Sequence, residues 1–524
     1  MSHNGLVEIS LSSSVNDEMY DALVVISESV SAVRDNEKLR HLVEQIDQYV
    51  TIHKGLDSGR ATVLFHSNLP SKRLIYSSTG STNGDFDDVR HFLEAGKAGM
   101  KSALEAGVKF PLLAIVPSER FPNAQLSAAL GALHQLYVPY NIRSEVPERA
   151  KKIERIGILS IANTNSGRLL RQLDAFQSSF IVTRDIGDTD PQRMAPPRMA
   201  EYAEQHFKGT SVKVIVESNQ ELIKKEYPLL SAVNRSANDV KEHQARVIWL
   251  EYENKEAPPE GKQFQTIMLV GKGVTIDTGG ADLKTGGSMQ GMCRDKYGAA
   301  VVAGFFDALD KLRPKGIKVV GVLCAVRNSI GSNAYTCDEI ITSRSNKRIF
   351  IGNTDAEGRL AMLDPLTSMR EKALKETDPH LYTLATLTGH EVLSYGMFPA
   401  VMDNGPAAKA GHAKLLQQVG DVYGQPVEIS RLHIEDFRFN KSLTEAADLR
   451  QAINRPSVQT LRGHQSPAAF LIQASRLDEH GVLSPHPIKF SHIDIGSAMG
   501  DYPQVSFPSP LLALVALHIL PRSE

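Results

Sequence analysis

Cysteine is nearly absent from this 524-residue chain: Cys293, Cys324 and Cys337 build no disulfide framework and suit a reducing compartment. Cys293 reads as a small filler, since a catalytic thiol needs a partner base that no motif supplies. An excess of one charge is lacking too. With 58 basic against 60 acidic residues and a net charge of -2, composition gives no electrostatic reason to expect a nucleic acid or an anionic membrane as partner. The strongest apolar run, LLALVAL at 511–517, is far too short to cross a bilayer, and the opening MSHNGLVEIS lacks the basic flank and apolar core of a signal peptide. A cytoplasmic location is the resulting expectation. HExxH and GxSxG are both missing, which removes the simplest zincin and serine-hydrolase readings. Hydrophobic residues at 42% and charged residues at 23% describe an ordinary globular protein, long enough for two or three domains with substantial cores.

β-like runs alternate with helical stretches through the first part: LVVIS at 23–27, ATVLF at 61–65, PLLAIV at 111–116 and IGILSIA at 156–162, with a helix over 89–107. That alternation predicts an α/β domain. The polar, proline-interrupted stretch RDIGDTDPQRMAPPRMAEY at 184–202 has the composition of a junction, and the boundary is placed near residue 175, give or take a dozen. Residues 1–175 and 176–524 are thus expected as two α/β domains. In the second, strands are expected at 266–270, 319–326, 348–352 and 381–387, with helices at about 289–312 and from 359. Three of those strands run into unusual polar or glycine-rich segments, and α/β sheets gather ligands at the carboxyl ends of their strands.

One such segment is NTDAEGRL at 353–360, directly after RIFIG. If it stays extended, Asp355, Glu357 and Arg359 lie two apart and face one way. Two carboxylates crowded there stay ionised only beside water, a cation or a metal, so a solvated turn paired with Arg359 and a ligand strip both fit. GKGVTIDTGGADLKTGG at 271–287 carries Lys272, Asp277 and Lys284. Its backbone could cradle phosphate, or it could be a plain solvent loop; it lacks the GK[ST] ending of a P-loop and the GxGxxG spacing of a dinucleotide site. Asp295, at the head of an apolar helical pattern, would by itself be a cap or a dipole partner. Together, Asp277, Asp295, Asp355 and Glu357 supply four carboxylates that an α/β sheet would bring to one edge, and four anions there call for divalent metal. All-oxygen ligation suits magnesium or manganese, while an added nitrogen donor favours zinc, manganese or cobalt.

VGKGVTIDTGG at 270–280, Lys284, Asp295, NTDAEGRL, TLTG at 386–389 and HIDI at 492–495, in that order, resemble the cytosolic leucine aminopeptidase family, the M17 metallopeptidases. The resemblance runs from about residue 180 to the end and marks a divergent member. It implies a mixed sheet flanked by helices, with a dinuclear metal site at strand ends. One cation, zinc or manganese, would be held by Lys272, Asp277, Asp295 and Glu357, and the other by Asp277, Asp355 and Glu357. Lys284 would stabilise the oxyanion, and Arg359 would hold a bicarbonate ion serving as general base. Met292, Thr386, Leu387, Gly389 and Met499 fall where the family lines its first side-chain pocket, which two methionines would make apolar. Implied partners are peptides with a free N-terminus and five further copies in a homo-hexamer.

The match is incomplete. Lys296 and Tyr297 follow Asp295 where the family has smaller or apolar residues, and His390 follows TLTG. Pro365 interrupts the helix after NTDAEGRL, where it is expected to loosen or kink it, and NRPSVQTLRGHQSPAAF at 454–470 matches loosely. On a helix, Lys296 is expected at the flank of the metal-facing side with its charge near the cleft, and Tyr297 nearly opposite. Two functions remain: an active aminopeptidase, or a catalytically weak homologue acting as a scaffold.

Overall fold

The computed structural model describes residues 5–57, 59–161 and 166–523, and the chain divides into two compact units, Met1–Ile181 with Asp421–Gly424, and Val182–Gly420 with Gln425–Glu524. In the first unit a six-stranded sheet orders its strands Glu8–Ser12, Arg155–Leu159, Pro111–Ile115, Ala22–Ser27, Arg73–Ser78 and Ala61–Phe65. All neighbours are parallel except the last pair. The strand predicted over 156–162 is Arg155–Leu159; Ala162 lies outside the described residues, as do the first four residues of the opening segment. The expected helix is Arg90–Glu105.

The second unit is built on an eight-stranded mixed sheet. Its order is Glu428–Ile429, Ala400–Asp403, Lys489–Asp494, Pro379–Ala385, Gln265–Asp277, Ile317–Asn328, Arg246–Asn254 and Lys213–Glu217. The four strands from Lys489–Asp494 to Ile317–Asn328 are mutually parallel, so their carboxyl ends emerge at one edge. Gln265–Asp277 is far longer than the run predicted at 266–270, because Ile317–Asn328 pairs along it through the glycine-rich GKGVTID. Helix Tyr297–Leu312 starts later than predicted: Gly291, at φ 90°, halts right-handed winding, and only a 3₁₀ turn, Met292–Arg294, precedes Asp295. From Tyr297 to Leu309 every residue of that helix is buried; burying Phe305 and Phe306 contributes about 2 kcal/mol each.

Two proline-bearing stretches are helical. The stretch 184–202 is mostly helical, in Ser166–Asp188 and Pro196–His206, because Pro196 and Pro197 occupy the first turn, where no backbone N–H is needed. Helix Gly358–Ala373 likewise carries Pro365 in its interior without ending there. Among the described residues no helix is long and apolar enough to cross a membrane.

Beneath the sheet lies a buried polar network. The Tyr382 hydroxyl meets His412 Nε2 at 2.7 Å and His518 Nε2 at 2.9 Å, while His412 Nδ1 lies 2.9 Å from Asp403. Ser491 bridges Asp403 and His380. Burial pushes His380 and His518 well below the usual histidine range and His492 down to about 3. These three imidazoles are therefore neutral in the fold but protonate in the unfolded chain below about pH 6.5, so stability present above that pH is lost as pH falls. The loss grows as the pH falls further below that range. Urea unfolding should show a steep loss between pH 7 and 5, and His518→Gln should lower the slope by about one proton. A pH-independent midpoint would contradict the buried neutral histidines.

Candidate active site

Parallel pairing places the first charged groups. Lys272 sits mid-strand and Asp277 closes the same strand; Asn328, in register with Asp277 on the neighbouring strand, donates Nδ2 to Asp277 Oδ1 at 2.8 Å. Gly298 lets helix Tyr297–Leu312 start against the sheet, since a Cβ there would fall 2.0 Å from the Leu384 carbonyl oxygen. That close approach sets Asp295 beside Lys272, and the Lys272 ammonium donates to Asp295 Oδ1 at 2.7 Å and to the Thr386 carbonyl at 2.9 Å. Glu357 Oε1 completes its surroundings at 2.8 Å. Gly358 makes room for this ammonium, because any Cβ would lie 2.7 Å from Nζ.

NTDAEGRL is a turn and not an extended strip. The strand before it covers only Arg348–Phe350, Ala356 N–H closes back on the Asn353 carbonyl, and Asn353 Oδ1 accepts from Asp355 N–H at 2.7 Å. Helix Gly358–Ala373 then begins, with Arg359 in its first turn. The turn still aims Asp355 and Glu357 alike: one oxygen from each of Asp277, Asp355 and Glu357 lies within 4.8 Å of the others. Lys284 pairs with Asp277 Oδ2 at 2.8 Å and with Asp355. Arg359 does not pair with these carboxylates; its Nη1 donates to the Gln451 carbonyl at 2.9 Å, and its buried Nε has no protein acceptor.

Electrostatics follow from this crowding. Burial alone would depress both lysines, but Asp295, Glu357 and Asp277 around Lys272, and Asp277, Glu357 and Asp355 around Lys284, outweigh it and hold both above the ordinary lysine range. Burial, reinforced by Asp277, pushes Asp355 up to about 7 against the pull of Lys284. Burial also raises Asp295, whose Oδ2 is buried without a partner. Arg359 is lowered by burial to about 10.

Several supports lie outside the expected site residues. Gln451 is fully buried; its Oε1 accepts from Gly352 and Asn353 N–H, and its Nε2 donates to the Asn353 and Ala356 carbonyls, so one amide clasps the whole turn. Tyr335 OH and Asn328 Nδ2 both donate to the Thr354 carbonyl. Asp282 Oδ2 accepts from Thr354 N–H at 2.7 Å. Asp494, within the quoted HIDI, accepts from Leu387 N–H and Thr388 Oγ1, fixing the loop whose Thr386 hydroxyl donates to Asp295. The spacing of Gln451 from NTDAEGRL, about a hundred residues, explains why a linear reading misses it.

Lys272, Asp277, Lys284, Asp295, Asp355, Glu357 and Arg359 line a cleft of about 410 Å³. Met292, Thr386, Leu387 and Gly389 line it as well, whereas Met499 lies outside that lining and is buried. Of the other departures, Lys296 points elsewhere than expected and Tyr297 faces away from the cleft as expected. Lys296 is fully buried and donates to the carbonyls of Thr189 and Cys293, so its charge does not reach the cleft; the helix starts only at Tyr297, and Lys296 precedes its first turn. The Tyr297 ring fills space left by Gly187, where a Cβ would fall 2.6 Å from the ring, and its hydroxyl donates to Ser506 Oγ at 2.9 Å. His390 Nδ1 meets His464 Nδ1 at 2.7 Å.

Residues 181–507 match the model of the cytosol aminopeptidase family's catalytic domain. The chain belongs to that family. A Caenorhabditis elegans protein, W07G4.4, whose name proposes an aminopeptidase, is 55% identical over 513 residues, 97% of each chain. Leucyl aminopeptidase of Trypanosoma brucei in complex with bestatin superposes with a TM-score of 0.78 at 19% identity, over 98% of this chain and 95% of that one. The bottromycin maturation enzyme BotP in complex with Mn gives 0.76 at 19% identity, over 96% and 100%. At such identities the structural likeness speaks for the fold. The same fold therefore surrounds the cleft of this cytosol aminopeptidase homologue.

Two substitutions check the supports. Gln451→Ala leaves four part-buried backbone groups without their partner and should cost about 2–4 kcal/mol, with water recovering part of the about 1–3 kcal/mol each orphan loses. Denaturant unfolding with a parallel metal titration measures this; unchanged stability and metal binding would show that the turn holds itself. Lys296→Met should destabilise, by stranding the Thr189 and Cys293 carbonyls, and bring no gain in turnover of any aminoacyl substrate.

Proposed function

We propose that this chain is a metal-dependent aminopeptidase that removes apolar N-terminal residues from peptides. The convergence of four carboxylates and two lysines in one buried cleft carries the reading, supported by membership of the cytosol aminopeptidase family. The donor set fits two divalent cations. Three carboxylate oxygens lie within 4.8 Å of one another, and Asp295 Oδ2 is buried with no partner. Lys272, Asp277, Asp295 and Glu357 would hold one cation, and Asp277, Asp355 and Glu357 the other, with Asp277 and Glu357 shared. The mix of hard oxygens with one amine nitrogen favours zinc or manganese, and the manganese complex of BotP is in keeping with this. Bound there, such cations supply Lewis acidity toward a carbonyl and acidify water.

The chain's own residues do the rest. Lys272 must give up its proton to coordinate, so loading releases protons and strengthens as pH rises. Lys284, freed from Asp277 and Asp355, carries an ammonium able to stabilise a developing oxyanion. Arg359, with Nε buried and unpartnered, holds a small anion for which bicarbonate, as general base, is the fitting species. Met292, Thr386, Leu387 and Gly389 receive the first side chain. The family reading also carries a homo-hexamer and a cytoplasmic location.

Chelation should abolish release of N-terminal residues, and Mn or Zn should restore it. Asp277→Asn or Glu357→Gln should remove both metals. Lys284→Ala and Arg359→Ala should keep metal but lower kcat by about a hundredfold or more. Full activity of Asp277→Asn at normal metal content would sink the two-metal reading, and efficient cleavage of N-acetylated peptides would point to a different mechanism.

A further inference from the structure

The cleft has two walls. One presents Met292 and the Thr386–Gly389 loop; the other is the segment from Ala452 to Val458, the two meeting where a Cβ on Gly389 would fall 2.8 Å from Val458 Cγ1. This second wall is anchored backbone to backbone: a Cβ on Gly352 would lie 2.0 Å from the Ala452 carbonyl oxygen, and Gln451 just before it clasps the ligand turn. At its far end Ser457 Oγ accepts from His390 N–H at 3.3 Å, and the 3₁₀ turn Ser457–Gln459 follows. Arg455 lies between these anchors, directly before Pro456, which holds it to extended backbone. It lines the cleft, is exposed, and among the described residues has no ion pair or hydrogen bond. Every other charged side chain of the cleft is held by a partner described above.

We propose that Arg455 selects substrates with a carboxylate immediately after the scissile bond, which makes dipeptides with a free carboxyl terminus the preferred class. The inference rests on the aminopeptidase reading, in which the first side chain occupies the Met292 and Thr386–Gly389 wall. The leaving residue then passes along Ala452–Val458, where the Arg455 guanidinium meets its carboxylate. Guanidinium matches carboxylate with two parallel hydrogen bonds, a geometry lysine does not reproduce. A C-terminal amide or a longer chain offers no such anion at that point. Arg455 is thus a specificity residue and takes no part in bond cleavage.

The test compares leucylglycine with leucylglycinamide on the metal-loaded full-length chain, for wild type, Arg455→Gln and Arg455→Lys. Wild type should favour leucylglycine by about fivefold or more in kcat/KM, mainly through KM, and the margin should shrink with added salt. Arg455→Gln should erase the preference while leaving leucylglycinamide unchanged, and Arg455→Lys should restore part of it. No preference in wild type, or an equal loss on both compounds in Arg455→Gln, overturns the inference. If neither compound is hydrolysed, calorimetric binding decides: tighter, Arg455-dependent binding of leucylglycine upholds the role of Arg455 while the aminopeptidase reading falls, and equal or absent binding overturns it.

Discussion

Charge compensation in the cleft governs the second unit. Asp277, Asp295, Asp355 and Glu357 against Lys272 and Lys284 leave two net negative charges in a largely buried space, and desolvation makes each of them costly. The fold meets that cost by interleaving: each lysine sits between two carboxylates, and Asn328 and Gly279 N–H donate to Asp277. Two divalent cations would instead match the charge of all four carboxylates, taking over the compensating role of the lysines. Cations entering a site that already concentrates negative charge would displace the lysine ion pairs, which is the proposed link between this packing and hydrolytic chemistry.

Backbone geometry makes such crowding possible. Parallel pairing at the sheet centre delivers Asp277, Asn328 and the Thr386 loop to the same edge, and Gly298 and Gly358 bring a helix start and a ligand turn close enough to surround Lys272. The clasp by Gln451 holds the turn from outside, and the same residue's carbonyl orients Arg359. Support and function share atoms here. Loss of Gln451 therefore reaches Asp355, Glu357 and Arg359 at once.

Most of the architecture was legible because its signals are local. Apolar runs marked the central strands to within a few residues, and the charged residues of NTDAEGRL and GKGVTIDTGG stood out against them. The run at 266–270 was read too short because its glycines look like a loop until a partner strand is known. NTDAEGRL by itself fits either a solvated turn or an extended ligand strip, and a turn closed by Asn353 brings Asp355 and Glu357 together. Lys296 was placed near the cleft on helical periodicity, but the helix begins one residue later and the side chain finds carbonyls from Thr189 and Cys293 instead. Gln451, Tyr335 and the Asp494 contacts with the Thr386 loop depend on long-range packing, and no residue type or spacing announces them.

Anomalous diffraction from crystals grown with manganese tests the central claim most directly. Two peaks are expected within the carboxylate cluster, one bounded by Asp277, Asp355 and Glu357 and one reaching Lys272 and Asp295, with the Lys272 to Glu357 ion pair broken. A single peak away from these residues, or none while Lys272 stays paired with Asp295 and Glu357, would contradict the two-cation site.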